Sequence, residues 1–246
     1  MARVAFEVLV DIAKLAFFVT IAYLILQAWA GRRQPGWSLY LTRRRLAVLG
    51  ALTLLMSAIK LIEDVVARES GPVDTAILWF VREQFPAALN GYFAILTLSG
   101  SARVLLPASV LVVLALLLAK RRFEALLLSA SMVAAPLLVY VLKAVVGRDR
   151  PVLWDTQTYW GSSFPSGHTL STAAFATAAA LCLARIWPRS AAAATATALL
   201  WPGLVAMSRL VLGVHWPSDV LAALCLGAFI PLSLSVVLDR TPARSR

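Results

Sequence analysis

Seven long apolar segments dominate this sequence, and they restrict the fold more than any other feature. They run at about Val4–Ala30, Leu46–Val66, Val104–Ala119, Glu124–Leu142, Thr169–Ile186, Ala191–Leu212 and Val220–Leu238. Each is close to the roughly 20 residues that a helix needs to cross a bilayer. With 61% hydrophobic residues and a mean hydropathy of +0.82, the chain is too apolar for a soluble domain of 246 residues. Because a chain in lipid must satisfy its own backbone hydrogen bonds, we predict an all-α fold, a polytopic transmembrane helical bundle.

The first segment differs from the others because Glu7, Asp11 and Lys14 lie in its first half. No convincing small-residue cleavage site follows it, so we expect a retained helix rather than a cleaved signal peptide. Residues 1–45 are therefore predicted to form an extra N-terminal transmembrane helix and a linker. Residues 46–238 are predicted to form a six-helix domain, and residues 239–246 a tail.

The net charge of +11 could indicate a nucleic-acid partner, but the basic residues lie between the apolar segments rather than in one patch. Four groups follow the first, third, fifth and seventh segments: Arg32, Arg33, Arg43, Arg44 and Arg45; Lys120, Arg121 and Arg122; Arg185 and Arg189; Arg240, Arg244 and Arg246. Alternating helices place these groups on one side, which the positive-inside rule makes cytoplasmic. We therefore expect the bilayer, and no nucleic acid, as a partner, with the linker and the tail in the cytoplasm. Other basic residues fall on the opposite side, where anion binding gives a reason for them.

The longest external stretch is predicted at Glu69–Ser101, and within it Ala76–Phe85 has the apolar pattern of an amphipathic helix. This helix could cover a lipid entrance or simply pack on the bundle. The later loop Val152–Ser163 contains Trp154, Tyr159 and Trp160. These aromatics suit either an interfacial belt or contact with substrate head groups.

The first polar cluster, Lys143, Arg148 and Arg150, ends the fourth segment. Basic side chains at a helix end often only extend toward the membrane surface. Together, however, the planar arginine group and the compact lysine charge suit a dianionic phosphate. Asp149 lies between the two arginines and could hold one in place, so no chemical role is assigned to it.

The second cluster, Pro165-Ser166-Gly167-His168, stands directly before the fifth segment. The Ser166 and Gly167 amides should point out of a helix N-terminus, where anions bind. An N-cap would explain Ser166 equally well, but it would not explain His168.

The third cluster is Ser208-Arg209, followed by His215 and Asp219. Asp219 lies about one helical turn after His215, so its carboxylate can fix the imidazole tautomer and leave the other nitrogen free as a nucleophile. Asp219 could instead only complement a helix N-terminus. Arg209 can reach the same pocket. The two cysteines, Cys182 and Cys225, lie among Ala and Leu and are interpreted as core residues.

In order and spacing, these clusters resemble the three-part signature of the type 2 phosphatidic acid phosphatase superfamily, also called lipid phosphate phosphatases. The matched pattern is Lys-(six)-Arg-Pro, then Pro-Ser-Gly-His, then Ser-Arg-(five)-His-(three)-Asp. The resemblance covers about Leu46–Leu238 and implies a six-helix membrane bundle with its site at the outer membrane face. The first helix is an addition to that pattern.

The resemblance also implies a mechanism. His215 attacks phosphorus and forms a phosphohistidine, Asp219 orients it, and His168 protonates the leaving oxygen and then activates water. The phosphate oxygens are held by Lys143, Arg150, Ser166, Gly167 and Arg209. No metal and no other cofactor is expected, because these fixed cations take the place of a metal.

The sequence therefore predicts a phosphatase of membrane lipids in a bacterial inner membrane, with its site on the periplasmic side. Candidate substrates are undecaprenyl pyrophosphate, phosphatidic acid, phosphatidylglycerophosphate and lipid A phosphates. One alternative is a phosphotransferase that passes the phosphoryl group to a lipid or sugar hydroxyl. Another is a catalytically silent lipid-binding or transport protein. The oligomeric state is left open.

Overall fold

A computed structural model describes residues 2–33, 35–154 and 160–239, and their regular structure is helical throughout. The helices are α1 (Ala2–Arg33), α2 (Pro35–Arg43), α3 (Arg45–Val66), α4 (Gly71–Gln84), α5 (Asn90–Leu98), α6 (Ala102–Leu118), α7 (Arg122–Val146), α8 (Gly167–Ile186), α9 (Ala191–Val211) and α10 (Pro217–Leu238). Short 3₁₀ turns at Ala87–Leu89 and Pro188–Ser190 precede α5 and α9. The predicted all-α class is confirmed.

Seven helical spans among the described residues are long and apolar enough to cross a membrane, as the sequence predicts. The third span begins earlier than expected, because Ala87–Leu98 is also helical and apolar. Its 32 residues would measure about 48 Å as one straight helix, well beyond a hydrocarbon core of about 30 Å. The turn Ser99–Ser101 instead separates α5 from α6, and α6 alone has a suitable length for the crossing.

The core of the bundle is made by α3, α7, α8 and α10, which meet through small side chains. A buried cluster joins Ala58, Ala135, Leu170, Ala174 and Ala223. The outer surface carries large apolar side chains, which is typical of a lipid-facing surface.

The predicted amphipathic helix is present as α4, and it packs on α9 and α10 rather than standing apart. Leu78 and Val81 are buried there, while Trp79 and Phe80 are exposed. Helix α5 was not predicted, and it packs on α9.

The segment expected as a linker is helical too. Helix α2 lies against α1, and the Tyr40 hydroxyl donates to the Val236 carbonyl at 2.7 Å. Helix α1 packs mainly on α2 and α3, so the extra helix lies at one side of the bundle.

Two of the four basic groups meet through Asp239 at one end of the bundle, and Glu124, two residues after Arg122 of a third group, lies at the same end. Arg44 pairs with Asp239, and Arg185 pairs with Asp239 at 2.9 Å and with Glu124 at 3.5 Å. Their common end agrees with the alternation inferred from the charge pattern. Arg240, Arg244, Arg246 and Tyr159 lie outside the described residues.

Candidate active site

Lys143 lies in the last turn of α7, which ends at Val146 and is followed by the C-cap residue Gly147. Gly147 adopts a left-handed conformation with φ of 59°, and its amide donates to the Lys143 carbonyl at 3.2 Å. This glycine C-cap turns the chain out of the helix. The ammonium group of Lys143 donates to the carbonyl of Ser162.

Arg150 brings the loop after α7 to the same place. Its guanidinium donates to the carbonyls of Val214 at 2.8 Å and Ser162 at 3.5 Å. The same group lies 3.4 Å from Nε2 of His215. Lys143 and Arg150 therefore converge on the Ser162 carbonyl, and Arg150 also lies beside Nε2 of the His215 imidazole.

His215 is held from its other side by Asp219, as the spacing predicts. Nδ1 of His215 is 3.4 Å from Oδ2 of Asp219, which also accepts the Trp216 amide at 2.9 Å. Pro217 occupies the first turn of α10, where its missing amide hydrogen costs no helical hydrogen bond. Asp219 therefore caps α10 and also contacts His215, and its role in fixing the imidazole tautomer stays a prediction.

His215 is almost completely buried, with 3% of its surface exposed. Burial is the main cause that lowers the pKa of His215 to about 4. Asp219 opposes the shift, while Arg209 and Arg150 add to it. A neutral imidazole at physiological pH is the state that a nitrogen nucleophile requires.

A buried charge network behind Asp219 was missed from the sequence. Arg148 donates to Oδ1 of Asp219 at 2.7 Å and to Oδ2 of Asp74 at 2.6 Å. Asp74, on α4, also accepts the Ser218 amide at 2.9 Å and the Ser218 hydroxyl at 2.6 Å. The Arg148 guanidinium also donates to the Ser70 hydroxyl at 3.2 Å. Its central carbon lies over the Trp216 ring, 5.3 Å from the ring centroid.

The pairing of Arg148 also corrects the expectation that Asp149 holds one of its neighbours. Asp149 contributes backbone rather than charge, since its carbonyl accepts from the Ser163 hydroxyl at 3.0 Å and from the Trp216 indole at 2.9 Å. The acidic partners of Arg148 are 71 and 74 residues away in the chain. The one available signal was an acid on the apolar face of an amphipathic helix.

The N-terminus of α8 differs in part from the prediction. The Ser166 amide donates to the Asp219 carbonyl at 3.3 Å, and the Ser166 hydroxyl lies 3.0 Å from that of Thr169. Ser166 therefore ties α8 to α10 in this state, and Gly167 provides the first helical amide of α8. A phosphate contact from Ser166 or Gly167 stays a prediction.

His168 and Arg209 line one cavity of about 610 Å³. Arg209 is buried and donates to the Thr97 hydroxyl on α5 at 3.0 Å. The residues predicted as catalytic and phosphate-binding thus lie at the end of the bundle where α7, α8, α9 and α10 meet.

The aromatic loop has a packing role at Trp154. A Cβ atom on Gly213 would lie 2.7 Å from the Trp154 ring, and Gly213 itself has φ of 67°. Arg82 and Trp79 of α4 cover the same ring, at 5.4 and 5.5 Å. Trp160 is 98% exposed and has no comparable ring contact within the described residues.

Within the described residues, no three His, Cys, Asp or Glu side chains come together as metal ligands would. Metal independence stays a prediction. The side chains that meet here are the buried neutral imidazole of His215, the Asp219 carboxylate behind it and a second histidine, His168. They are joined by the three cations that are predicted to bind phosphate: Lys143, Arg150 and Arg209. This set can attack an anionic phosphorus centre and stabilise the charge that develops on its oxygens.

Comparisons with known proteins point to one family. A model of the PAP2 superfamily matches residues 124–241. The chain is 37% identical over 141 residues to decaprenylphosphoryl-5-phosphoribose phosphatase of Mycobacterium tuberculosis, covering 54% of this chain and 72% of that protein. It is 36% identical over 120 residues to lipid A 1-phosphatase of Rhizobium johnstonii, covering 45% of this chain but only 46% of that relative.

The fold has a solved counterpart. The crystal structure of a transmembrane PAP2 type phosphatidylglycerolphosphate phosphatase from Bacillus subtilis matches with a TM-score of 0.70 and 25% identity, covering 80% of this chain and 98% of that one.

Proposed function

Because the chain belongs to the PAP2 superfamily, we propose that it is a membrane lipid phosphatase that hydrolyses a phosphate monoester or pyrophosphate through a phosphohistidine. One observation carries this proposal. The buried imidazole of His215 has Asp219 at Nδ1 and the Arg150 guanidinium at Nε2, both at 3.4 Å. The carboxylate sets the tautomer, and the guanidinium marks where a phosphate oxygen would lie.

In the first step, Nε2 of His215 attacks phosphorus while the bond from phosphorus to the lipid oxygen breaks. His168 gives a proton to that oxygen, so the lipid leaves as an alcohol or, from a pyrophosphate, as a monophosphate. The imidazole becomes positively charged, and Asp219 stabilises it across the Nδ1 contact.

In the second step, His168, now neutral, takes a proton from a water molecule that attacks the phosphohistidine. The bond from phosphorus to nitrogen breaks, inorganic phosphate is released, and His215 returns to its neutral form. The low pKa of His215 favours this return, because it makes the imidazole a better leaving group.

Lys143, Arg150 and Arg209 are proposed to hold the phosphate oxygens, with Ser166 and Gly167 beside them. Lys143 and Arg150 now donate to one carbonyl, that of Ser162. A bound phosphate would take over these donors at little cost in reorganisation, which is the condition for strong transition-state stabilisation.

The proposed setting is a bacterial inner membrane, with the site on the periplasmic side. The basic groups at the opposite end of the bundle support this orientation through the positive-inside rule. Residues 46–238 would form the phosphatase domain, and residues 1–45 an addition to it. Undecaprenyl pyrophosphate, phosphatidic acid, phosphatidylglycerophosphate and lipid A phosphates remain the candidate substrates.

The test is phosphate release from these four lipids by detergent-purified protein with a chelator present. Wild type should release phosphate, His215→Ala should not, and Asp149→Asn should behave as wild type because the Asp149 carboxylate lies outside the network. A phosphorylated acceptor without free phosphate would indicate the phosphotransferase instead. Absence of both from every lipid would contradict the proposed enzyme.

A further inference from the structure

The cavity that contains His168 and Arg209 continues to the N-terminus of α6. Its polar lining is Thr97, Ser101, Arg103, His168 and Arg209, and its other lining residues are apolar. No acidic side chain lines it among the described residues. The cavity is therefore electropositive and apolar at once, which suits a lipid that carries phosphate.

The start of α6 is fixed close to His168. A Cβ atom on Gly100 would lie 3.3 Å from the His168 carbonyl, 2.5 Å from the Thr172 hydroxyl and 2.9 Å from Val205. Because only a glycine fits there, the turn before α6 packs directly on α8 and α9. The N-terminus of α6 is thus held next to the histidine that is assigned to the leaving oxygen.

At this N-terminus, polar groups lack hydrogen-bond partners within the described residues. Ser101 is the N-cap residue, only 8% of its surface is exposed, and its hydroxyl has no hydrogen-bond partner within the described residues. Among the described residues, the Ser101 side chain makes no capping hydrogen bond to α6, a helix of 17 residues, and the amides of Ala102 and Arg103 precede the first amide that bonds to the Ser101 carbonyl. A buried hydroxyl without a partner is costly, and helix N-terminal amides favour anions.

Arg103, the second residue of α6, adds a full positive charge. It is exposed, and within the described part of the chain it forms no ion pair. A serine hydroxyl, helix amides and an arginine are the donor set that commonly binds a phosphate group.

We propose that the N-terminus of α6, with Ser101 and Arg103, is a second anion subsite that binds a phosphate on the leaving part of the lipid. This inference rests on the proposed function, because it takes His168 as the acid at the leaving oxygen. It specifies the substrate class as a lipid that keeps a second phosphate, as a diester or a monoester, after the first has been removed. The released inorganic phosphate has the same chemistry and is the other source that the experiment must separate.

The experiment compares two lipids with the same acyl chains. After it loses its terminal phosphate, phosphatidylglycerophosphate gives a lipid product that retains a phosphodiester. Phosphatidic acid gives an uncharged alcohol. The ratio of kcat/KM for the two lipids is measured in mixed micelles for wild type, Arg103→Gln and Ser101→Ala. Arg122→Gln is the matched control, because Arg122 is also an exposed arginine in the first turn of a long helix, α7.

Arg103→Gln should lower kcat/KM for phosphatidylglycerophosphate by about 10- to 100-fold, the usual effect of a lost charge-assisted hydrogen bond, and leave phosphatidic acid unchanged. Ser101→Ala should act in the same direction by about 3- to 10-fold, as for a neutral donor. Arg122→Gln should change neither rate.

Equal losses on both lipids, or an unchanged ratio with an active wild type, would overturn the subsite while leaving the phosphatase intact. An unchanged ratio together with weaker product inhibition by inorganic phosphate would assign the subsite to released phosphate and also overturn the proposal. Wild type that releases phosphate from neither lipid or any other candidate lipid would instead defeat the proposed function itself.

Discussion

Replacing Asp74 with asparagine would remove one charge from the network behind His215 without changing the size of the side chain. Asp74 is 2% exposed and accepts three hydrogen bonds, two from Ser218 and one from Arg148. An asparagine can keep its oxygen toward the Ser218 amide, but its NH₂ group then faces the Arg148 guanidinium, and two donors meet. Arg148 would lose one of its two acidic partners and turn wholly toward Asp219.

The magnitude follows from the lost bond. A hydrogen bond between charged groups contributes about 1.5–3 kcal/mol, and each 1.36 kcal/mol corresponds to about a tenfold change in rate. Asp219 would share more of its charge with Arg148 and less with the imidazolium that forms on His215. We therefore expect Asp74→Asn to lower kcat by about 10- to 100-fold with little change in KM, because no phosphate contact is removed.

The assay is the kcat and KM of phosphate release from phosphatidylglycerophosphate, together with the folded fraction from size-exclusion chromatography. Asp64→Asn is the matched control, because Asp64 pairs with Lys60 within α3, apart from the network around Asp219. Asp74→Glu should recover part of the rate, since it restores the charge. A wild-type kcat in Asp74→Asn, or a loss that matches its unfolded fraction, would refute a positioning role for Asp74.

Two further predictions concern ionisation and packing. Since the chain has only two histidines, imidazole NMR of untagged, histidine-labelled protein can follow His215 directly, with His168→Ala to assign it. Because its pKa is lowered to about 4, His215 should still be neutral at pH 5.5, and a protonation midpoint near 6.5 would contradict its buried environment. Gly227→Ala should destabilise the bundle by about 1–3 kcal/mol, because a Cβ there would lie 2.5 Å from the Leu170 carbonyl of α8. Gly50→Ala meets nothing within 4 Å, so its melting temperature in detergent should equal or exceed that of wild type; equal losses in both variants would be inconsistent with this packing.

The sequence was sufficient for the number of spans, because a membrane helix needs a long apolar segment and nothing from the rest of the chain. It was less informative where structure depends on distant contacts. Helix α5 escaped prediction because the polar and small residues at 97–101 interrupt its hydropathy, yet Gly100 of that turn is fixed by α8 and α9.

In the candidate site, too, the local contacts could be predicted from the sequence and the distant ones could not. His215 and Asp219 could be paired from sequence, because four residues make one helical turn. Asp74 and Arg148 could not, since their contact joins α4 to the loop after α7. The suggestion that Asp149 could hold a neighbouring arginine fails for Arg148, because Arg148 pairs with Asp219 and Asp74, which are distant in the sequence.

The phosphohistidine is the central claim, and it can be measured directly. Wild-type protein is mixed with a lipid labelled on its terminal phosphate, quenched in alkali during turnover and analysed by peptide mass spectrometry. The account predicts the label on His215, none on the His215→Ala protein, and loss of the label when turnover is allowed to finish. Label on another residue, or phosphate release at the wild-type rate by His215→Ala, would contradict it.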